Sequence, residues 1–500
     1  MKRALAMALG AMLVAGSAVP AAAKSQVDFN GMYRTYAYGT WNTAFTREKD
    51  DQGVRNDDFD SDFFLADRLQ LDFGFHATDE VSVYWRLRAP AAKRWGDNSG
   101  TGVVSRYYYG QIKQDWGTLS LGRLKDSFAD VGLASLGYAP DGPDVNATGV
   151  LPFDLDTPAS AIHYLNRTDG GFQLAAAIFR LKTKQYGHEF KNWEDIDVID
   201  TSGNPGTMSV AYEDYEAGLH DETADFFVLE PAFLWDGGGA SFGIHFTRDH
   251  VTLGTDSPAY KEYAINPAFI QSFGDMSVHF EGKAGWGKTP AADGQEDKSS
   301  GYALYLDGDY NYGPGNITLA GWWAAGPDTK ANEEGGGKKK TKGTVGMGSA
   351  FAPLIVAYGS NGSPVEWYSP YGSGGVTAIQ LANVRSAPLT EGSEKAQWDA
   401  NHWALDLNGA HAISDDMTFT YALAYLSLNK VRQAEGTETK ARKKLIGYEA
   451  DLGLQVQLLD NLHFGTTLGY LKAGDALMEP GSDKKPDDSY SWFNTLTFSF

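Results

Sequence analysis

The sequence predicts an all-β chain folded as a transmembrane antiparallel β-barrel of about 18 strands, with short turns at one end and long loops at the other. Three observations predict it. Segments of about ten residues with period-2 alternation, weak singly but repeated, recur along the chain. The connections between them alternate between short and long. The last such segment is amphipathic and ends on Phe500.

The alternation sets apolar residues against polar ones. Val27, Phe29 and Tyr33 alternate with Asp28, Asn30 and Arg34. Leu69, Leu71, Phe73 and Phe75 alternate with Arg68, Gln70, Asp72 and His76, and Val81, Val83, Trp85 and Leu87 with Ser82, Tyr84, Arg86 and Arg88. Ile446, Tyr448, Ala450, Leu452 and Leu454 follow the same rule against Gly447, Glu449, Asp451 and Gly453. Successive strand side chains point to opposite faces, so each segment presents one apolar and one polar face.

Short turns fall at Thr78-Asp79-Glu80, Asp115-Trp116-Gly117, Arg167-Thr168-Asp169-Gly170, Asp236 to Gly239, Gly274-Asp275, Gly313-Pro314-Gly315, Ser414-Asp415-Asp416 and Asp460-Asn461. Between them lie longer polar connections near 39–60, 125–158, 182–224, 288–299, 326–397, 430–442 and 473–488, with shorter ones near 91–101 and 251–258. A soluble sandwich alternates too, but its connections are of similar length at both ends. Counting strands about these turns gives about 18, with 16 as the alternative, and both termini on the short-turn side.

The N-terminus reads as a secretory signal over 1–23: Lys2 and Arg3, an apolar run from Ala4 to Val19, then Pro20-Ala21-Ala22-Ala23 with cleavage expected after Ala23. A single barrel domain then spans 24–500. Removing Lys2 and Arg3 makes the chain still more acidic than its formal charge of −22. No later stretch is apolar for the ~18 residues a spanning helix requires, and the mean hydropathy is −0.36. Any membrane crossing must therefore use strands, and a closed barrel satisfies every backbone N–H and C=O without an exposed edge. Cysteine is absent, so ladder hydrogen bonds or a large core must replace disulfides. The acidic balance argues against nucleic acid as a partner.

The terminal segment places Tyr490, Trp492, Leu496, Phe498 and Phe500 on one face. It resembles the signal that barrel assembly machinery reads on outer-membrane proteins. That resemblance implies a Gram-negative outer-membrane location, with membrane lipid and lipopolysaccharide as neighbours.

Two features suggest a constricted lumen carrying a transverse field. One is a set of early arginines, Arg34, Arg68, Arg86, Arg88, Arg106 and Arg123. The other is the third long loop, 125–158, which holds Asp126, Asp130, Asp141, Asp144, Asp154 and Asp156 against one lysine. Each arginine has a plainer reading as a wall residue paired with a neighbouring carboxylate. Asp141-Gly142-Pro143-Asp144 is also a turn sequence in its own right. Asp307, Asp309, Asp406, Glu449 and Asp451 extend a negative wall along later strands.

The stretches Asp67-Arg68-Leu69-Gln70-Leu71, Arg106-Tyr107-Tyr108-Tyr109-Gly110 and Trp116-Gly117-Thr118-Leu119-Ser120-Leu121-Gly122-Arg123 resemble strands of the trimeric general porins. With Arg123-Leu124-Lys125-Asp126-Ser127-Phe128 following, the layout is most similar to the homotrimeric porins of sulfate-reducing bacteria. The resemblance implies a homotrimer, a third loop folded into the lumen, and Arg68, Arg106 and Arg123 in a wall cluster facing its carboxylates. The Pro-Glu-Phe-Gly-Gly-like loop motif of enterobacterial porins is missing.

The function expected is a water-filled channel for passive diffusion of small hydrophilic solutes and ions, mildly cation-preferring. The alternative is a substrate-selective channel, for example for sugars, with Tyr107, Tyr108, Tyr109, Trp322 and Trp323 as stacking surfaces. Alternation sends half of these to the outside. An enzyme or adhesion scaffold is the weaker reading. There is no Gly-x-Ser-x-Gly elbow or His-Glu-x-x-His helix, so no catalytic residue, metal or cofactor is expected. The acidic first loop, with Asp50, Asp51, Asp57, Asp58, Asp60 and Asp62, matches no defined calcium loop and reads as a solvated surface.

Overall fold

A computed structural model describes residues 26–41, 61–89, 93–94, 103–124, 160–167, 171–183, 192–199, 205–212, 223–249, 260–290, 296–325, 340–342, 401–430, 444–478 and 485–500. The expected signal and the third loop with Asp126, Asp130, Asp141 and Asp144 lie outside these residues.

The main sheet contains 20 strands. Two are the short pieces Lys93–Arg94 and Lys340–Lys342; the remaining 18 close into an antiparallel barrel. In chain order these are β1 Gln26–Trp41, β2 Ser61–His76, β3 Val81–Arg88, β4 Val104–Gln114, β5 Gly117–Arg123 and β6 Ser160–Arg167. Then follow β7 Phe172–Thr183, β8 Thr223–Trp235, β9 Gly238–Asp249, β10 Tyr260–Phe273, β11 Met276–Pro290 and β12 Glu296–Asn311. The last six are β13 Gly315–Ala324, β14 His402–Ser414, β15 Met417–Leu428, β16 Leu445–Leu459, β17 Leu462–Ala473 and β18 Ser489–Ser499. Each strand pairs with its sequence neighbours, and β1 pairs with both β2 and β18, which closes the ring. Phe500 and Gly31 exchange two backbone hydrogen bonds of 2.7 and 2.9 Å at this seam.

Eighteen strands settle the choice against 16. The turns explain the count. Trp235 pairs with Gly238 across Asp236-Gly237, where Gly237 has φ +74°, the Asp-Gly chemistry of a two-residue hairpin. Phe273 pairs with Met276 across Gly274-Asp275, with Gly274 at φ +65°. Both chain ends of the barrel lie at the short-turn end, since Gln26 pairs with His76 just before that turn.

Two of the long connections differ from expectation. The stretch 182–224 contains a separate two-stranded hairpin, Asn192–Ile199 with Pro205–Tyr212, where the sequence reads only as a polar connection. β11 and β12 extend to Pro290 and back from Glu296, so the 288–299 connection is mostly strand. Polar strand tips near a rim lose the alternation that marks a strand, because both faces are wetted.

Burial is inverted relative to a soluble protein. Leu306, Leu319, Leu405, Leu423, Leu452 and Leu468 are all half exposed on the outer face. Their neighbours Asp307, Asp406 and Asp451 are buried on the inner one. Large exposed apolar surface of this extent is abnormal in water. The outer face also carries nearly continuous aromatic contacts toward the long-loop end: Phe227–Phe246, Phe246–Tyr263, Tyr263–Trp286, Tyr302–Trp323, Trp403–Tyr425, Tyr425–Tyr448 and Tyr470–Tyr490, with centroids 4.6–6.4 Å apart. Such a girdle marks a barrel's interfacial level. No helix among the described residues is long and apolar enough to cross a membrane.

Candidate functional site

The inner wall is the site, and it divides into sectors by strand. On β1–β3 it is basic. Arg34 and Arg68 pair directly across the ladder, and both are buried. Like charges opposite one another repel, so each needs compensation. Arg34 Nε donates to Thr497 Oγ1 at 2.7 Å. The two guanidinium carbons lie 5.8 and 6.0 Å from the Tyr36 ring centroid, within the range of cation–π attraction. Arg68 Nε and Nη2 are buried without a hydrogen-bond partner.

Beside them Arg86 clamps Asp72 through Nε at 2.5 Å and Nη2 at 2.9 Å, a bidentate geometry that fixes both groups. Tyr107 donates to the same carboxylate at 3.0 Å while its ring lies 4.8 Å from the Arg86 guanidinium. Gln70 donates to Asp72 at 3.2 Å and accepts from Arg88 at 3.3 Å. This sector is open to solvent toward the short-turn end, where Asp28 and His76 meet at 2.8 Å.

Continuing round the ring, β3–β8 carry an apolar cluster on the inner wall: Tyr107, Tyr109, Phe179, Phe226 and Val228, with Tyr84 packed against it. The acidic sector follows on β8–β16. Glu230, Glu281, Asp307, Asp406, Glu449 and Asp451 are all buried inward. Their register is regular. Asp307 pairs with Ala320, Ala320 with Asp406, Asp406 with Ala424, and Ala424 with Glu449. Alanine on every second strand keeps Asp307, Asp406 and Glu449, which lie on alternate strands, roughly 10 Å apart, which limits repulsion across strands.

Local hydrogen bonds hold the acids. Asn266 donates to Glu281 at 3.1 Å, and Asn408 to Asp406 at 2.5 Å. His279 is hydrogen-bonded to Asp307 and lies 3.3 Å from Asp309, which also accepts from Thr318. These three are the described residues whose donor atoms cluster closely enough for a metal, all within 4.8 Å. His279 already serves as the polar partner of both carboxylates. Asp307 Oδ2 and Asp406 Oδ1 are buried without a hydrogen-bond partner, and the buried Lys283 lies on the same wall as Glu281.

Of the residues singled out in the sequence, Arg34, Arg68, Arg86 and Arg88 come together on one sector. Asp307, Asp309, Asp406, Glu449 and Asp451 come together on another. Arg106 falls at a register shift, since Arg86 pairs with Tyr107 but Leu87 with Ser105. Register sets Arg123 opposite Tyr108, whose ring is exposed outside, so the arginine group on β1–β3 does not include it. Tyr107 and Tyr109 face inward and Tyr108 outward; Trp322 is buried inward, while Trp323 packs on Tyr302 outside. Asp67 lies outside and accepts from Thr35 at 3.0 Å. Tyr490, Leu496, Phe498 and Phe500 are exposed together on the outer face of the seam, and Trp492 follows the same alternation. Glu230, His279, Glu281 and Lys283 were not singled out.

The whole is a closed 18-strand barrel with an apolar exterior and a charged, sectored interior. No protein-family model and no curated protein matches the sequence. Solved structures resemble it in fold, among them OmpT, an outer membrane protein. OccK2 (OpdF) of Pseudomonas aeruginosa is 10% identical with a TM-score of 0.48, over 95% of this chain and 98% of that one. OprD of the same organism is 11% identical with a TM-score of 0.46, over 96% and 97%. OmpT of Vibrio cholerae is 11% identical with a TM-score of 0.38, over 95% and 98%.

Proposed function

We propose that this chain is an outer-membrane porin, exported by cleavage after Ala23, through which small hydrophilic solutes and ions diffuse passively with a mild preference for cations. The single observation that carries this reading is the inverted burial: carboxylates and arginines line the inside of a closed ring whose outside is leucine and aromatic. Burying charge inside is costly unless it serves passage or pairing. The acids outnumber the basic groups among the described inner-wall residues, which supports the direction of selectivity. The loop aspartates Asp126, Asp130, Asp141 and Asp144 would add to it at a constriction.

Assembly belongs to the same reading. The outward row Tyr490, Trp492, Leu496, Phe498 and Phe500 is offered to the barrel assembly machinery, and three copies associate. Single-channel recording of the refolded protein in planar bilayers tests the function. Steady, ohmic conductance unaffected by micromolar sugar is expected; no conductance from a folded barrel would reject a channel. Block by micromolar sugar would replace a general pore by a selective one.

A further inference from the structure

On β11 and β12 the inner wall brings one imidazole and two carboxylates to a single point. His279 pairs directly with Asp307 across the ladder, and Asp309 follows two residues along the same face, opposite Ser277. One donor atom from each of the three lies within 4.8 Å of the others. His279 Nδ1 is hydrogen-bonded to Asp307 Oδ1 and stands 3.3 Å from Asp309 Oδ2. Two carboxylate oxygens therefore face one ring nitrogen, which carries at most one proton. The second oxygen of Asp307, Oδ2, is buried with no hydrogen-bond partner, on a side chain 1% exposed.

The arrangement has the parts of a metal site. Zinc-type ions hold nitrogen and oxygen ligands tetrahedrally at about 2.0–2.2 Å, which sets the ligand atoms roughly 3.4 Å from one another; Nδ1 and Asp309 Oδ2 are 3.3 Å apart. Supporting hydrogen bonds orient the ligands, as metal sites require. Thr318 donates to Asp309 Oδ1, and Ser277 donates to Oδ2 at 3.4 Å, so Asp309 is held with Oδ2 toward the imidazole. The strands that carry the ligands keep one unbroken register from Met276 to Pro290, a rigid base for a site of fixed geometry. Opposite Asp307 on β13 stands Ala320, whose methyl group leaves space for water ligands. Asp309, 14% exposed, gives the ion its way in. His279 and Asp307 are 28 residues apart in the chain, so no contiguous spacing announces the set.

We propose that His279 Nδ1, Asp307 and Asp309 bind a divalent first-row transition ion on the inner wall, with water in the remaining coordination positions. An imidazole nitrogen among the ligands favours such ions over magnesium and calcium, which take oxygen ligands. The ion takes the place of the Nδ1 proton, so binding weakens as the pH falls. The assignment holds whether or not the barrel conducts.

The test uses the full refolded chain in micelles, stripped with a chelator, and Zn²⁺ as the probe. Competition against a chromophoric chelator gives the affinity, and native mass spectrometry the number of ions retained. One tightly held Zn²⁺ per chain is expected, which equimolar Mg²⁺ does not displace. His279→Gln should weaken it by about tenfold or more, whereas Asp67→Asn on the outer face should leave it unchanged. Co²⁺ bound to the wild type should show visible absorption that His279→Gln loses. Absence of tightly bound Zn²⁺, its displacement by equimolar Mg²⁺, equal affinity of the wild type and His279→Gln, or an equal loss in Asp67→Asn overturns the proposal. If His279→Gln does not refold, Asp309→Asn, which keeps an acceptor for Thr318, must weaken binding by a similar factor or the proposal fails.

Discussion

The basic sector on β1–β3 and the acidic sector on β8–β16 solve the same problem by different means. Both place charges on the inside of the ring. Around Asp72 the basic sector is cross-linked: Arg86 grips Asp72 and Tyr107 completes the carboxylate, while Arg34 and Arg68 both lie within about 6 Å of the Tyr36 ring. In the acidic sector Ala320 and Ala424 space the acids of alternate strands, and neutral or histidine side chains orient them, as Asn408 does Asp406 and His279 does Asp307. The Arg86–Asp72 clamp spends its charge on its own structure, whereas Arg68 keeps two buried nitrogens without a hydrogen-bond partner. If the barrel conducts as proposed, the acidic sector is expected to set selectivity and the Arg86–Asp72 clamp to set the shape of the wall.

The contrast can be broken most severely from outside. Leu405 is exposed next to Asp406 in β14, so Leu405→Arg moves a charge by one residue from the inner to the outer face. A loss of about 2–4 kcal/mol in refolding stability in bilayers is expected, measured by denaturant titration. A neutral outcome there would mean that this face is not in lipid. Next in size is Arg86→Met, which strips the bidentate partner from Asp72. Because both groups are about a quarter exposed, the cost should be on the order of 1–3 kcal/mol, with a change in single-channel conductance as the wall loosens. Unchanged stability would show that the basic sector is not cross-linked in the way described.

Smaller in stability, though not in selectivity, is the combined Asp406→Asn, Glu449→Gln and Asp451→Asn variant. Each amide keeps the shape of its acid, so folding should change little and cation preference should fall. The mildest change is Asp67→Asn on the outer face. It keeps an acceptor for Thr35 and should leave the reversal potential unchanged; a shift would place Asp67 in the permeation path.

Much of this was legible in the sequence. Alternation alone assigned Arg34, Arg68 and Arg86 to one face and Leu69, Leu71 and Phe73 to the other, and it put Asp307, Asp406 and Asp451 on the inner wall. Short turns such as Asp236-Gly237 set the strand count. What was not legible has physical causes. A bulge at Arg106 shifts the register by one residue, and nothing in Ser105-Arg106-Tyr107-Tyr108 announces it. Arg123 shares the parity of Leu119 and Leu121, so periodicity places it outside while motif resemblance draws it inward.

Glu230 was hidden because Phe227-Val228-Leu229 and Pro231 are apolar on both parities, and the burying strand face cannot be read from such a run. His279, Glu281 and Lys283 did carry a signal, alternating with Val278 and Phe280. Three titratable side chains on one face of a segment bounded by apolar residues mark an inner wall as clearly as the arginines did.

The most direct measurement is the zero-current reversal potential of the refolded protein in a potassium chloride gradient, recorded for the wild type and for the Asp406, Glu449 and Asp451 variant together. Cation preference in the wild type that diminishes in the variant is the predicted result. Anion preference in the wild type, or the same potential in both, would contradict the assignment of selectivity to the acidic sector.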